Sequence, residues 1–303
     1  MKLPARLQQN ILAFEGGAAW LAQLPKLIAL CEKRWQLRIE SPFDELSYNY
    51  VTKAQTLDGQ KVVLKLGVPN RELTTEIAAL QHYGGRGAVR LIDSDAEWGV
   101  LLLERLQPGT MLVAEIDDEQ ATRIAATVMR ALWRPAPIDH AFPTVADWAL
   151  GFGRYRNQFR NQAGPITEKW IDSAESIFAE LLADSAEPIL LHGDLHHYNI
   201  LQAQRTPWLV IDPKGVIGEP AYEVGALLRN PLTGFFDQSN ALQRLTRRVA
   251  IFEEMLGFDR KRILKWSLAQ AVLSACWSVE DDGDPSFAIA RATQFARLQH
   301  IKK

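Results

Sequence analysis

Apolar residues recur at helical spacing through 17–35, where Trp20, Leu21, Leu24, Ile28, Cys31 and Trp35 share a stripe that Pro25 is expected to bend. Segments 46–55 and 60–67 read as two strands joined at Asp58-Gly59, a hairpin signal. The second of them sets Val62, Val63, Leu64 and Leu66 around one charge, Lys65. Helical spacing resumes over 71–83 through Leu73, Ile77, Leu80 and Tyr83 and stops at Gly84-Gly85. Apolar runs at 88–93 and 99–106 follow, and Pro108-Gly109 then punctuates the chain. Beyond that point 117–132, 144–162, 166–183, 220–229, 240–256, 260–280 and 285–301 all carry helical character, and only 189–213 reads as short strands and loop. A strand-rich first third before a helix-rich remainder predicts an α+β chain of two lobes. Residues 1–106 would form a leading helix and a small antiparallel sheet, and 107–303 a mostly helical lobe. The joint falls near 104–110, with a cleft expected between the lobes.

Composition narrows the class without naming a chemistry. At 303 residues, 47% hydrophobic and 23% charged, the chain has enough length for two cores. A net charge of −2 gives no electrostatic case for nucleic acid. No window reaches eighteen uninterrupted apolar residues, and the Met1–Arg6 start lacks a signal-peptide core, so no membrane role and a cytoplasmic setting are expected. Cys31 and Cys276, each inside an apolar helical pattern, read as buried free thiols. Oligomeric state is not legible.

The chemistry is concentrated in Leu-Leu-His-Gly-Asp-Leu-His-His-Tyr-Asn-Ile-Leu at 190–201 and Leu-Val-Ile-Asp-Pro at 209–213. Asn199 follows Asp194 by five positions, and Asp212 follows Asn199 by thirteen. Phosphoryl transfer asks little covalent chemistry of a protein, but it needs an oriented hydroxyl and Mg²⁺ fixed on phosphate. A carboxylate and an amide five apart on a tight loop, met by a second carboxylate at a strand end, supply those parts. Each alone reads as a turn or cap residue; the three together point to a kinase. Lys65, alone, reads as a strand-edge lysine reaching solvent; inside a strand that otherwise looks buried, its ammonium needs an anionic partner.

These motifs resemble the aminoglycoside phosphotransferase group of the protein-kinase-like fold, and more narrowly its streptomycin 6-kinase and hydroxyurea phosphotransferase branch. Val63–Leu66, Gly87–Leu91, Leu102–Leu106 with Pro108-Gly109, Leu191–His197, Asp212–Gly218, Glu219–Glu223 and Leu228–Pro231 carry the narrower likeness, in the family's order, over roughly residues 45 to 285. The resemblance implies a bilobal fold that uses ATP, with GTP not separated from it, together with Mg²⁺. It implies that Asp194 orients the acceptor hydroxyl, that Asn199 and Asp212 bind magnesium, and that Lys65 reaches the phosphates. Glu76 would pair with Lys65, with Glu72 as the competitor. Glu104 and Leu106 would hold the base through backbone groups. No Gly-x-Gly-x-x-Gly run precedes Lys65, so Ser47 and Asn49 are the expected phosphate-turn residues.

The acceptor is read less directly. Glu280, Asp281 and Asp282 close a helix where the dipole disfavours negative charge, so they are candidates to bind a cationic substrate; a solvated helix end is the alternative. Asp284 before Pro285 reads as an N-cap, and Asp117 as the opening of another helix. His192 is expected to orient the loop, and His196 and His197 to pack it, since no fourth ligand stands at zinc spacing. Glu219 and Glu223 are read as structural charges at a helix start. The partners are therefore a nucleoside triphosphate and a small hydroxyl-bearing substrate, cationic if it is an aminoglycoside. Hydroxyurea or another alcohol is the first rival acceptor, and a silent nucleotide-binding protein the rival of a different class.

Overall fold

A computed structural model describes residues 3–231 and 239–300. The chain divides into two compact units, Met1–Gly109 with Ala203–Arg205, and Thr110–Gln202 with Thr206–Lys303.

Unit 1 opens with α1 (Ala5–Leu12) and α2 (Gly17–Trp35). Pro25 sits inside α2 without ending it. β1 (Leu37–Pro42), β2 (Tyr50–Thr56), β3 (Lys61–Leu66), α3 (Arg71–Tyr83), β4 (Leu91–Asp95) and β5 (Val100–Glu104) follow, and the strands form an antiparallel sheet in the order β1-β2-β3-β5-β4. Leu7 and Ile11 of α1 and Trp20, Leu24 and Cys31 of α2 share one core with Val62, Leu64 and Leu66 of β3. Side chains alternate across a strand, so Lys65 faces the side opposite Leu64 and Leu66. The loss of ladder register between Ile39 and Pro42 marks β1 as irregular, and its mixed burial explains why no period-2 signal announced it.

Unit 2 contains a 3₁₀ turn at Leu112–Ala114, then α4 (Asp118–Leu132), β6 (Arg134–Pro135), α5 (Val145–Gln158) and α6 (Glu168–Ala183). Next come β7 (Ile189–Leu191), β8 (Ile200–Gln202), β9 (Trp208–Val210) and β10 (Val216–Gly218). The helices α7 (Pro220–Leu228), α8 (Ala241–Leu256), α9 (Arg260–Glu280) and α10 (Ser286–His300) complete it. α9 is the central helix, packed by α5, α6, α7, α8 and α10, and its buried positions occupy every side, as a helix enclosed by neighbours requires. Asp117 accepts the Glu119 and Gln120 amides as N-cap of α4, and Asp284 accepts the Ser286 amide before α10. Both match the capping expected of them. No described helix is long and apolar enough to cross a membrane.

Candidate active site

Two three-residue pairings position the loop chemistry of unit 2. β7 pairs with β10 so that Leu191 faces Val216, which leaves His192 and Lys214-Gly215 adjacent just beyond the ladder. β8 pairs with β9 so that Ile200 faces Val210, which leaves Asn199 and Ile211 adjacent at its end. Thirteen residues of sequence separation are closed by that hairpin alone.

The gaps are then bridged by backbone hydrogen bonds. The Ile211 amide donates to the Asn199 carbonyl at 3.0 Å, and the Lys214 and Gly215 amides donate to the His192 carbonyl at 2.8 and 3.2 Å. Asn199 Nδ2 donates to the Asp194 carbonyl at 3.0 Å, which leaves the amide oxygen Oδ1 to face other partners. Asp212 sits at φ 57° before Pro213, a left-handed conformation that costs an ordinary residue on the order of 1 kcal/mol. Asp194, Asn199 and Asp212 thus belong to one cross-linked lattice.

His192 is a hub of that lattice. Its Nε2 lies 2.8 Å from the Ile211 carbonyl, and its Nδ1 accepts the Asp194 amide at 3.2 Å. One ring nitrogen donates and the other accepts, the arrangement of a neutral imidazole. Burial pushes its pKa down to about 4, although the Ile211 hydrogen bond and the Asp194 charge oppose this. The orienting role expected of His192 agrees with these bonds.

Glu223 is structural, as expected, but its role is more specific than a charge at a helix start. It stands in α7, 1% exposed, and accepts the His192 amide at 2.6 Å and the Gly193 amide at 2.9 Å. It does more than suit a helix start: it satisfies two buried backbone donors of the loop that carries Asp194. Burial raises its pKa to about 7 against the pull of those two amides. Gly193 adopts φ +86°, and a Cβ there would collide with Trp148 and crowd Val216, so only glycine fits this turn. Glu219 is structural as expected, buried against Arg262 Nε at 2.7 Å and the Trp266 indole nitrogen.

The Asp194 side chain is 37% exposed, with His196 Nε2 at 3.6 Å. Burial works to raise its pKa, but the charges of His196, Arg229, Lys214 and His192 outweigh it and hold the carboxyl below its ordinary range. His197 is buried with neither ring nitrogen hydrogen-bonded. Among the described residues no group of three or more His, Cys, Asp or Glu gathers as a metal site. A Mg²⁺ site does not require such a group, since magnesium keeps several waters and takes one or two protein oxygens plus phosphate. Asn199 and Asp212 offer hard oxygens of that kind.

In unit 1, Lys65 Nζ donates to both carboxylate oxygens of Glu76 at 2.6 and 2.8 Å. The side chains are 4% and 8% exposed. Of the two candidate partners, Glu76 is the one so held. Ser47 and Asn49 precede β2; the Ser47 carbonyl accepts from Asn10 Nδ2 at 3.2 Å, and the Asn49 amide lies where a side chain on Gly67 would have to go. The Glu104 amide donates to the Arg90 carbonyl at 3.0 Å. Its carboxylate accepts the Arg90 amide at 2.9 Å and binds Arg205. Arg205 also donates to the Gly85 and Ala88 carbonyls at 2.6 and 3.1 Å. Nothing in the sequence pattern singled out Arg205, a lone polar-turn residue.

At the end of α9, Glu280 has an internal partner that the sequence did not reveal. Arg154 of α5 binds it through Nε at 2.9 Å and Nη2 at 3.1 Å. Asp281 and Asp282 are exposed, and Asp282 adopts φ 55°.

The sequence profile of the family described as aminoglycoside/hydroxyurea antibiotic resistance kinase matches residues 34–283. The chain is 30% identical to streptomycin 6-kinase of Streptomyces griseus over 275 residues, covering 88% of this chain and 87% of that protein. It is 32% identical to hydroxyurea phosphotransferase of Kitasatospora aureofaciens over 288 residues, covering 93% and 81%. A thermostable mutant of aminoglycoside phosphotransferase APH(4)-Ia, in ternary complex with ADP and hygromycin B, superposes with a TM-score of 0.61 at 14% identity, covering 90% of this chain and 99% of that one. That likeness shows a bilobal protein-kinase-like fold. The chain belongs to the aminoglycoside/hydroxyurea antibiotic resistance kinase family and is a small-molecule phosphotransferase with an alcohol group as acceptor.

Proposed function

We propose that the chain transfers the γ-phosphoryl group of ATP to a hydroxyl of a streptomycin-type aminoglycoside, at its 6-position. The observation that carries the assignment of roles is the lattice joining Asp194, Asn199 and Asp212 through the Asn199–Asp194 and Ile211–Asn199 bonds at 3.0 Å. In this reading Asp194 orients the acceptor hydroxyl; as the new O–P bond forms and the bond to the ADP oxygen breaks, the hydroxyl proton passes to its carboxylate. Asn199 and Asp212 would hold Mg²⁺ through their side-chain oxygens, and the ion would neutralise phosphate charge. Lys65, fixed by Glu76, holds the donor phosphates, with Ser47 and Asn49 at the phosphate turn. The backbone of Glu104 and Leu106 holds the base, a mode that admits GTP as well. Residues 1–106 act as the nucleotide lobe and 107–303 as the catalytic and acceptor lobe.

Glu280, Asp281 and Asp282 are the proposed acidic side of the acceptor site, with Glu280 already sharing its charge with Arg154. A second reading takes hydroxyurea as acceptor. It is favoured by the match to hydroxyurea phosphotransferase, which spans 93% of this chain. Purified protein incubated with ATP, Mg²⁺ and each acceptor, followed by mass spectrometry, separates the two. A phosphoryl adduct on streptomycin supports the first reading; an adduct on hydroxyurea with none on streptomycin replaces it by the second. Chelation of Mg²⁺ is expected to abolish transfer in either case.

A further inference from the structure

Unit 2 holds an aromatic cluster that reaches the surface in one place. Phe178 meets Phe152, Tyr222 and Trp266 at centroid distances of 5.4, 6.2 and 5.1 Å, and all four rings are 2% exposed or less. The cluster continues to Trp148, 6.2 Å from Tyr222, and on to Trp277, 5.5 Å from Trp148 with the rings at 89°. These last two indoles are only half-buried. Trp148 ends against Gly193, where a Cβ would come within 2.7 Å of its six-membered ring. The aromatic core therefore opens at the peptide next to Asp194.

From that point a strip of side chains with a definite polarity runs along α9. Ser274, Trp277 and Asp281 recur at helical spacing on one side of it. Arg229 follows α7, and its Nη1 donates to Ser274 Oγ at 3.0 Å. It makes no ion pair with Asp194, although its charge acts on that carboxylate. One turn beyond Trp277 stands Glu280, bound by Arg154, and then the exposed Asp281 and Asp282. Gly151 of α5 makes room for this end, since a Cβ there would come within 3.2 Å of the Trp277 indole nitrogen and 3.4 Å of Arg154 Nη2. A cation is repelled at the Arg229 end and drawn to the indoles and the acidic turn, because an aromatic face attracts positive charge.

We propose that Trp148 and Trp277 form the acceptor subsite of this phosphotransferase, holding a cationic ring substituent of the acceptor against their indoles while its hydroxyl meets Asp194. The proposal rests on the reading of the acceptor as a cationic polyol of streptomycin type. It changes what the acidic turn does: the exposed Asp281 and Asp282 supply long-range attraction and the indoles supply the contact.

The test compares Trp148→Leu and Trp277→Leu with the unaltered protein, in the presence of nucleotide and Mg²⁺. Streptomycin is measured as substrate through KM; if it is not turned over, as an inhibitor of hydroxyurea phosphorylation; and if neither is turned over, by calorimetric binding. Each leucine variant is expected to weaken streptomycin about tenfold, with hydroxyurea, which carries no cation, losing less. Trp148→Phe and Trp277→Phe keep a smaller ring, are expected to weaken it about threefold, and serve if a leucine variant does not fold. Unchanged affinity in all four variants, equal losses for both acceptors, or no affinity of the unaltered protein for streptomycin would overturn the subsite. Failure of the function reading is distinct: it shows as absence of streptomycin turnover in the unaltered protein, whatever the variants do.

Discussion

Lys65 in unit 1 and Asp194 in unit 2, the charges to which the proposed function gives its main roles, are held by different physics. Lys65 is placed by strand alternation on the face opposite Leu64 and Leu66, and Glu76 binds it through both carboxylate oxygens. Asp194 is placed by a loop with no periodicity of its own, held from outside by His192, Asn199 and Glu223. The first depends on a side-chain pair. The second depends on satisfied backbone groups, so the residues that matter most to its shape are not the ones that would touch substrate.

The largest effect should come from breaking the pair in unit 1. Lys65→Met leaves Glu76 charged and buried without that partner, which costs roughly 3–5 kcal/mol in comparable cases, enough to read as a large shift in urea midpoint. Lys65→Met with Glu76→Leu removes both charges and is expected to recover most of that stability. It should not recover phosphoryl transfer. If the double variant is no more stable than the single one, the pair is not the source of the cost.

A smaller effect is expected in unit 2 from Glu223→Ala, which orphans the His192 and Gly193 amides. Each unsatisfied buried donor costs about 1–3 kcal/mol, partly relieved if water enters the space left. The variant should lose transfer rate more than nucleotide affinity, since both amides that Glu223 accepts belong to the loop of Asp194. Equal losses in both would mean that Glu223 supports the unit as a whole.

The subtlest effect is the pH response of the same loop, where two buried groups oppose each other. His192, lowered from 6.5 to about 4 by burial, contributes stability that is complete above pH 6.5 and is lost as pH falls through about 4. Glu223, raised from 4.5 to about 7 by burial, contributes stability that is complete below pH 4.5 and is lost as pH rises through about 7. Between pH 4.5 and 6.5 the two slopes, each approaching about 1.4 kcal/mol per pH unit, run against each other. Glu223→Gln should therefore make stability fall as pH falls across that window, and His192→Gln should make it fall as pH rises. Denaturant titrations at a series of pH values read both signs.

The same contrast explains what could be read in the sequence. Helical periodicity and the Gly84 stop placed α3 at Arg71–Tyr83, and the Asp58-Gly59 turn placed the β2–β3 hairpin. Side-chain alternation made Lys65 conspicuous, and fixed spacing made Asp194, Asn199 and Asp212 conspicuous. Three-residue strands such as β10 are too short to carry a period, and irregular β1 carries none. Glu223 looked like an ordinary acid near a helix start, because its value lies in two amides thirty residues upstream. Arg154, which binds Glu280 across 126 residues, and Arg205, which braces Glu104, left no local signal for the same reason.

The proposed division of labour between the two units is tested most directly by measuring nucleotide affinity and single-turnover transfer side by side in Asp194→Asn. The amide keeps the size and much of the hydrogen bonding of the carboxylate but accepts a proton poorly. The account predicts nucleotide binding within about threefold of the unaltered protein and a transfer rate lower by about 10²–10⁴-fold, the usual worth of a positioned base. Transfer at the unaltered rate would contradict the role given to Asp194 and, with it, the reading of the loop at 190–213.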